Sequence, residues 1–141
     1  MRAFFTIALL FGIFINGHGQ SEKEEILKIL ERQSNCWNKG DIDCFMIGYW
    51  QSDSLKFVGK NGITYGWNQT LRNYKKRYPD RATMGQLKFD ILSTESLGKK
   101  HFFVVGKWHL TRETMEDAEG VFTLLWKKIK GEWVIIADHT P

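Results

Sequence analysis

The residues best equipped for chemistry stand near the C-terminus, where the apolar run Trp133 to Ala137 ends in Asp138-His139. A histidine titrates near neutral pH, and an adjacent carboxylate raises its pKa and selects its tautomer, which suits general acid/base work or anion binding. Tyr49, Trp50 and Asp53, at the end of a short amphipathic segment and in the turn after it, complete the candidate constellation. Plainer readings stand beside these: His139 bonded to a helix-end backbone, Asp138 facing water, Asp53 capping a turn with Ser52 and Ser54. Successive strand residues point to opposite faces, so Asp138 and His139 line one pocket together only where the strand is ending. Arg112 closes another apolar run and offers a guanidinium to a carboxylate or other anion. These patterns assign no catalytic residue.

Cys36 and Cys44 span the junction between two expected helices. Outside the cytoplasm they could form one disulfide; otherwise they are buried thiols acting as small hydrophobes. No histidine lies near them in sequence, and two cysteines do not complete a tetrahedral shell, so no metal site is expected. No cofactor is called for either. The formal charge is +4. The lysine and arginine clusters read as solvated faces, because nucleic-acid binding needs a dense basic stripe interleaved with exposed aromatics.

The 141 residues suffice for one domain. Residues 1–19 have a character of their own: Arg2, a nearly unbroken apolar run from Phe4 to Ile15, then Gly17-His18-Gly19. That is the pattern of a secretory signal peptide, too short for a membrane span, with an uncleaved anchor as the alternative. The expectation is a periplasmic or secreted domain over residues 20–141 with no stable membrane span after cleavage.

Ser21 to Glu24 has the form of a capping box, and Ile26, Leu27, Leu30, Gln33, Ser34 and Trp37 recur at helical spacing before Gly40. Asp41 caps a second helix carrying Ile42, Phe45, Met46 and Tyr49. A small hairpin follows around Lys60-Asn61-Gly62, then a third helix with Trp67, Leu71, Tyr74 and Tyr78 on one stripe, ended by Pro79. Asp80 to Met84 reads as a polar linker. From Gly85 the period becomes two, giving four long antiparallel strands, the last two joined at Lys130-Gly131. Helices gathered early and strands gathered late describe an α+β domain.

The fragments D-I-D-C-F-M-I-G-Y-W, D-S-L-K-F-V-G, G-I-T-Y-G-W and G-V-F-T-L-L-W-K-K-I-K-G-E-W, with the ending W-V-I-I-A-D-H-T-P, resemble the NTF2-like superfamily, and within it the SnoaL-like or DUF4440 branch of small bacterial proteins. The resemblance implies a cone, with the N-terminal helices packed on the concave face of a curved antiparallel sheet and a pocket at the wide mouth. It also implies a homodimer formed through the sheet. It implies no single activity, since the superfamily is spread over enzymes, transport adaptors and assembly domains. In its isomerase-like enzymes a buried carboxylate and a tyrosine act in an apolar cavity; Tyr49 and Asp53 could play such parts but do not match that pattern residue by residue.

Alternation puts Phe102, Val104, Gly106, Trp108, Leu110 and Arg112 on one face, the better candidate for the concave side, with Phe122, Leu124 and Trp126 facing them. Trp108 is then a ligand contact or plain core. On the last strand both alternating sets are apolar, so both faces need cover, one from the helices and one from a partner subunit. Two functions follow. One is an exported domain binding a small, partly apolar ligand in an aromatic pocket with Arg112 and His139 as anchors. The other is a lyase or isomerase with a pocket His or Asp as general acid/base. A dimeric interaction module is a third reading.

Overall fold

The structure, a computed structural model, describes residues 17–141, with side chains from Gln20 onward. The segment read as a signal peptide lies outside the described residues as far as position 16. Helix α1 (Gly17–Asn38) presents Ile26, Leu30, Gln33 and Trp37 inward, the stripe that their spacing predicts. Ser21 lies inside this helix and does not cap it. The helix runs through Gly19 despite the low helix propensity of glycine, so α1 starts earlier than the capping-box pattern suggested.

Asp41 caps α2 (Ile42–Met46) by accepting a hydrogen bond from the Cys44 amide at 2.9 Å. Cys36 and Cys44 are joined in a disulfide, Cα atoms 5.5 Å apart, which ties the end of α1 to α2. Strands β1 (Lys56–Gly59) and β2 (Gly62–Tyr65) form the expected hairpin, and α3 (Trp67–Arg77) follows. The segment expected as a linker contains one helical turn, α4 (Arg81–Met84). Its cap is built from Asp80 and Thr83, an Asp-x-x-Thr box that the apolar pattern does not reveal.

Strands β3 (Gln86–Ser96), β4 (His101–Thr111), β5 (Ala118–Ile129) and β6 (Glu132–Thr140) are antiparallel neighbours. Lys130 and Gly131 both take positive φ, as a tight turn between right-twisted strands requires. The sheet is larger than the expected one and mixed, with order β2-β1-β6-β5-β4-β3, because β1 pairs parallel with the free edge of β6. That edge would otherwise present unpaired backbone groups.

Concave-side residues of β4 and β5 follow the alternation: Phe102, Val104, Leu110, Phe122, Leu124 and Trp126 are buried. Two glycines on this face make room for rings. A Cβ on Gly106 would stand 2.4 Å from Phe122 Cζ, and one on Gly120 would stand 2.8 Å from Trp108 Nε1. Register pairs Gly106 with Phe122 and Trp108 with Gly120, so each ring lies across the strand opposite its own glycine.

The disulfide closes a short loop, and by loop-closure entropy it contributes about 2–3 kcal/mol. Unfolding in urea should therefore shift to a lower midpoint in reductant. The double variant Cys36→Ser/Cys44→Ser should match the reduced chain and ignore reductant; equal midpoints with and without reductant in the wild type would show that the bond contributes nothing.

Candidate functional site

The hollow between α1, α3 and the concave sheet face is a cavity of about 350 Å³. Aromatic side chains wall its helical side. Trp37 meets Phe45 and Tyr78 at ring-centroid distances of 5.2 and 4.8 Å, and Tyr74 meets Phe45 at 5.3 Å and Phe57 at 5.8 Å. Phe89, Trp108, Phe122 and Leu124 form the sheet side. Lys60 in the β1–β2 turn and Arg77 of α3 stand among the mouth residues.

A single acidic side chain, Asp138, belongs to this wall, and it is 3% exposed. Its position comes from an irregularity in β6. Trp126 pairs with Ile135 and Leu125 with Ala137, so Ile136 is an extra residue that resets the alternation. Trp133 and Ile135 point inward before the bulge; after it the inward residue is Asp138, and His139 faces out and is exposed. The backbone clamps of this segment also place Tyr49. Trp50 donates its amide to the Ile135 carbonyl at 2.9 Å, and Ile135 donates to Gly48 at 3.0 Å.

Tyr49 then donates its hydroxyl proton to Asp138 Oδ2 at 2.7 Å, and Thr140 donates to Oδ1 at 2.6 Å. The Tyr74 hydroxyl is 3.4 Å from that of Tyr49. Burial pushes the Asp138 carboxyl up to about 6, against the opposing pull of the two hydroxyl donors and of His139. Burial, followed by the charge of Asp138, raises Tyr49 and Tyr74 well above the ordinary tyrosine value, so both phenols keep their protons. A carboxyl titrating near neutrality in an apolar hollow can bind a hydrogen-bond donor when ionised and exchange a proton with a bound molecule.

The expected constellation is thus only partly assembled. Tyr49, Trp108 and Asp138 line the cavity; Trp50, Asp53, Arg112 and His139 do not. Trp50 is held by its backbone pairing to β6, and Asp53 is exposed in the turn behind Gly66. Arg112 falls just past β4 and is folded onto the β4–β5 loop, where its Nε donates to the Glu116 carbonyl at 2.7 Å and its amide to Asp117 at 2.9 Å. Asp117 of this loop and Glu119 at the start of β5 hold His109 at 3.1 and 3.2 Å, away from the cavity. Trp108 turns its Nε1 against Gly120 with no acceptor, so the indole offers the hollow carbon surface, not its N–H. Trp126, fully buried, is core. Sequence reasoning omitted Tyr74, Tyr78 and Thr140 from the site. The stripe on α3 carried the signal for both tyrosines, and Thr140 shares parity with Asp138.

Among solved structures, the chain is similar to an NTF2-like protein of unknown function from Shewanella oneidensis MR-1, at 41% identity and a TM-score of 0.80, over 84% of this chain and 98% of that one. The chain belongs to the NTF2-like superfamily. An NTF2-like superfamily protein from Salmonella enterica matches at 18% identity and a TM-score of 0.67, over 87% of this chain and 92% of that one. A ketosteroid isomerase-like protein from Erwinia carotovora atroseptica matches at 16% and 0.67, over 89% and 96%. These two NTF2-like neighbours share the fold. No protein-family model and no curated protein matches the sequence.

Asp138 costs this NTF2-like fold stability once ionised. Its folded-state value of about 6 exceeds the ordinary 3.8, so the native chain binds the proton more tightly and loses stability as pH rises from about 4 to about 6, by roughly 3 kcal/mol. Asp138→Asn is expected to raise the urea midpoint at pH 8 and to lose most of that advantage at pH 4. An advantage independent of pH would mean that the buried charge is not its cause.

Proposed function

We propose that this NTF2-like chain binds a small, mainly apolar organic molecule in the cavity, with its polar end at Asp138, Tyr49 and Tyr74. The observation that carries this reading is a hollow of about 350 Å³, ringed by aromatic side chains and holding one buried carboxyl. Small-molecule sites run to about 300–1,000 Å³ and are mostly apolar, with a few convergent polar groups. Native mass spectrometry of the purified chain should show a retained small molecule, or a screen of apolar compounds should give saturable binding. Leu124→Phe, which fills part of the hollow, should abolish either signal while the circular dichroism spectrum stays unchanged. Retention undiminished by the filled cavity would place the ligand elsewhere and end this reading.

A second reading is favoured by one feature, a carboxyl titrating near 6 beside a phenol in an apolar hollow: proton transfer by an isomerase or lyase with Asp138 as general acid/base. The ketosteroid isomerase-like neighbour lends it support at the level of fold. Turnover of a bound compound with an inflection near pH 6, lost in Asp138→Asn, separates it from simple binding.

We further infer export and self-association. The N-terminal apolar run followed by small residues, with the Cys36–Cys44 disulfide, supports a periplasmic or secreted location. The fragments quoted above support the SnoaL-like branch. The convex sheet face carries Phe103, Val105, Leu125 and Val134 half-buried and Val121 49% exposed, an apolar surface suited to a second copy. Light scattering should give twice the chain mass, and Val121→Lys should shift it toward monomer; a monomer at high protein concentration removes this reading.

A further inference from the structure

The groups around Asp138 can be sorted by where their protons go. Tyr49 has one hydroxyl proton, and it is given to Asp138 Oδ2; Thr140 has one, given to Oδ1. With its own proton used, Tyr49 can only accept from Tyr74, whose hydroxyl oxygen stands 3.4 Å away. The protons of the two donors that hold Asp138 are therefore spent within the protein. What remains on the carboxylate are acceptor lone pairs, with the Tyr74 oxygen next to Tyr49 as a further acceptor. A ligand group that meets the carboxylate must bring donors.

Charge sharpens the requirement. Among the described residues, the ion pairs are those of Lys75, Lys88, His109 and Lys128, and none reaches Asp138. A buried carboxylate lacking a cation is costly unless something supplies one. Aromatic rings wall the same cavity, with Tyr74, Phe57, Phe45, Trp37 and Tyr78 in edge contact with one another. Aromatic rings next to a carboxylate are the surroundings in which an organic cation is stabilised.

We propose that the occupant of the cavity is a protonated organic amine, whose ammonium group takes the free lone pairs of Asp138 and Tyr74 and whose apolar body lies against the aromatic walls. This rests on the small-molecule reading above and names the chemical class of its ligand. Lys60 and Arg77 stand at the mouth, where solvent screens them. The cation binds the ionised carboxylate, so affinity falls as pH drops through about 6. The titratable groups facing Asp138 are Tyr49 before β1 and Tyr74 on α3, both protonated throughout; His139, its neighbour on β6, points to the opposite face.

The test uses three probes with a common phenylethyl body, 2-phenylethylamine, 2-phenylethanol and 3-phenylpropanoate, titrated calorimetrically into the chain of residues 20–141 at pH 7.5 and pH 5. The amine is expected to bind at least roughly tenfold more tightly than the alcohol at pH 7.5, the increment of a hydrogen bond to a charged group. It should weaken at pH 5, and its preference should vanish in Asp138→Asn. Tyr74→Phe, which keeps the ring and removes one acceptor, should weaken the amine and leave the alcohol unchanged. If the alcohol or the carboxylate binds as well as the amine, and Leu124→Phe abolishes that binding, the cavity is a small-molecule site but the amine proposal is wrong. If none of the three binds and no molecule is retained on purification, both readings fall together.

Discussion

A carboxylate taken out of water with no cation beside it is among the more expensive features a fold can keep, and the C-terminal half of this one is arranged around such a group. Asp138 is retained by two short hydrogen bonds, from Tyr49 and Thr140, that offset part of its desolvation without neutralising it. Tyr49 reaches it only because the backbone on either side of that residue pairs with β6 at Ile135. The site is therefore a property of strand pairing first and of side-chain chemistry second. Were that pairing to slip, Tyr49 would lose its partner and the carboxylate one of its two donors.

The bulge at Ile136 fixes which side of the sheet receives the charge. With unbroken alternation, Trp133, Ile135, Ala137 and His139 would share the inner face, and the hollow would end in an imidazole. One extra residue exchanges the imidazole for a carboxyl and puts His139 in water. The chemistry available to the cavity thus hangs on one unit of strand phase. A bulge carries no dependable residue signature when no glycine is involved, and Ile136 looks like any other strand isoleucine. That is why both faces of β6 read alike in the sequence.

Elsewhere the sequence was far more legible. The inner stripe of α1 at Ile26, Leu30, Gln33 and Trp37 and the inner set of β4 from Phe102 to Leu110 repeat at helical and strand periods, and burial follows them. The turn at Lys130-Gly131 and the Asp41 cap have local chemistry that allows few alternatives. The α+β order follows from these elements, and the resemblance to the NTF2-like superfamily is carried by fragments spread between Asp41 and Pro141. What stayed hidden depends on non-local partners: the parallel pairing of β1 with β6, the start of α1 upstream of Ser21, and the destination of Arg112. A guanidinium at a strand end can meet a ligand or a loop carbonyl with equal ease, and the intervening loop, which puts the Glu116 carbonyl within reach, decides.

The hollow itself needs a physical cause, because side chains in protein interiors ordinarily close-pack. Its walls are stiff. The rings on the helical side contact one another and cannot collapse inward singly, since moving Tyr74 would break its contacts with Phe45, Phe57 and Trp37 together. On the sheet side the opposed glycine and aromatic pairs let Trp108 and Phe122 lie over the glycine of the neighbouring strand, where they cover the sheet floor with the rings' carbon surface. The α1–α2 junction is held by the Cys36–Cys44 disulfide and by Gln33, whose buried amide donates to the Phe45 carbonyl at 3.0 Å, so α2 is not free to settle into the gap. These constraints hold the hollow open from three sides, with the Asp138 carboxyl at its end. A ligand complementary to both the rings and the carboxylate would stabilise the native chain by mass action, because only the folded hollow presents the two together.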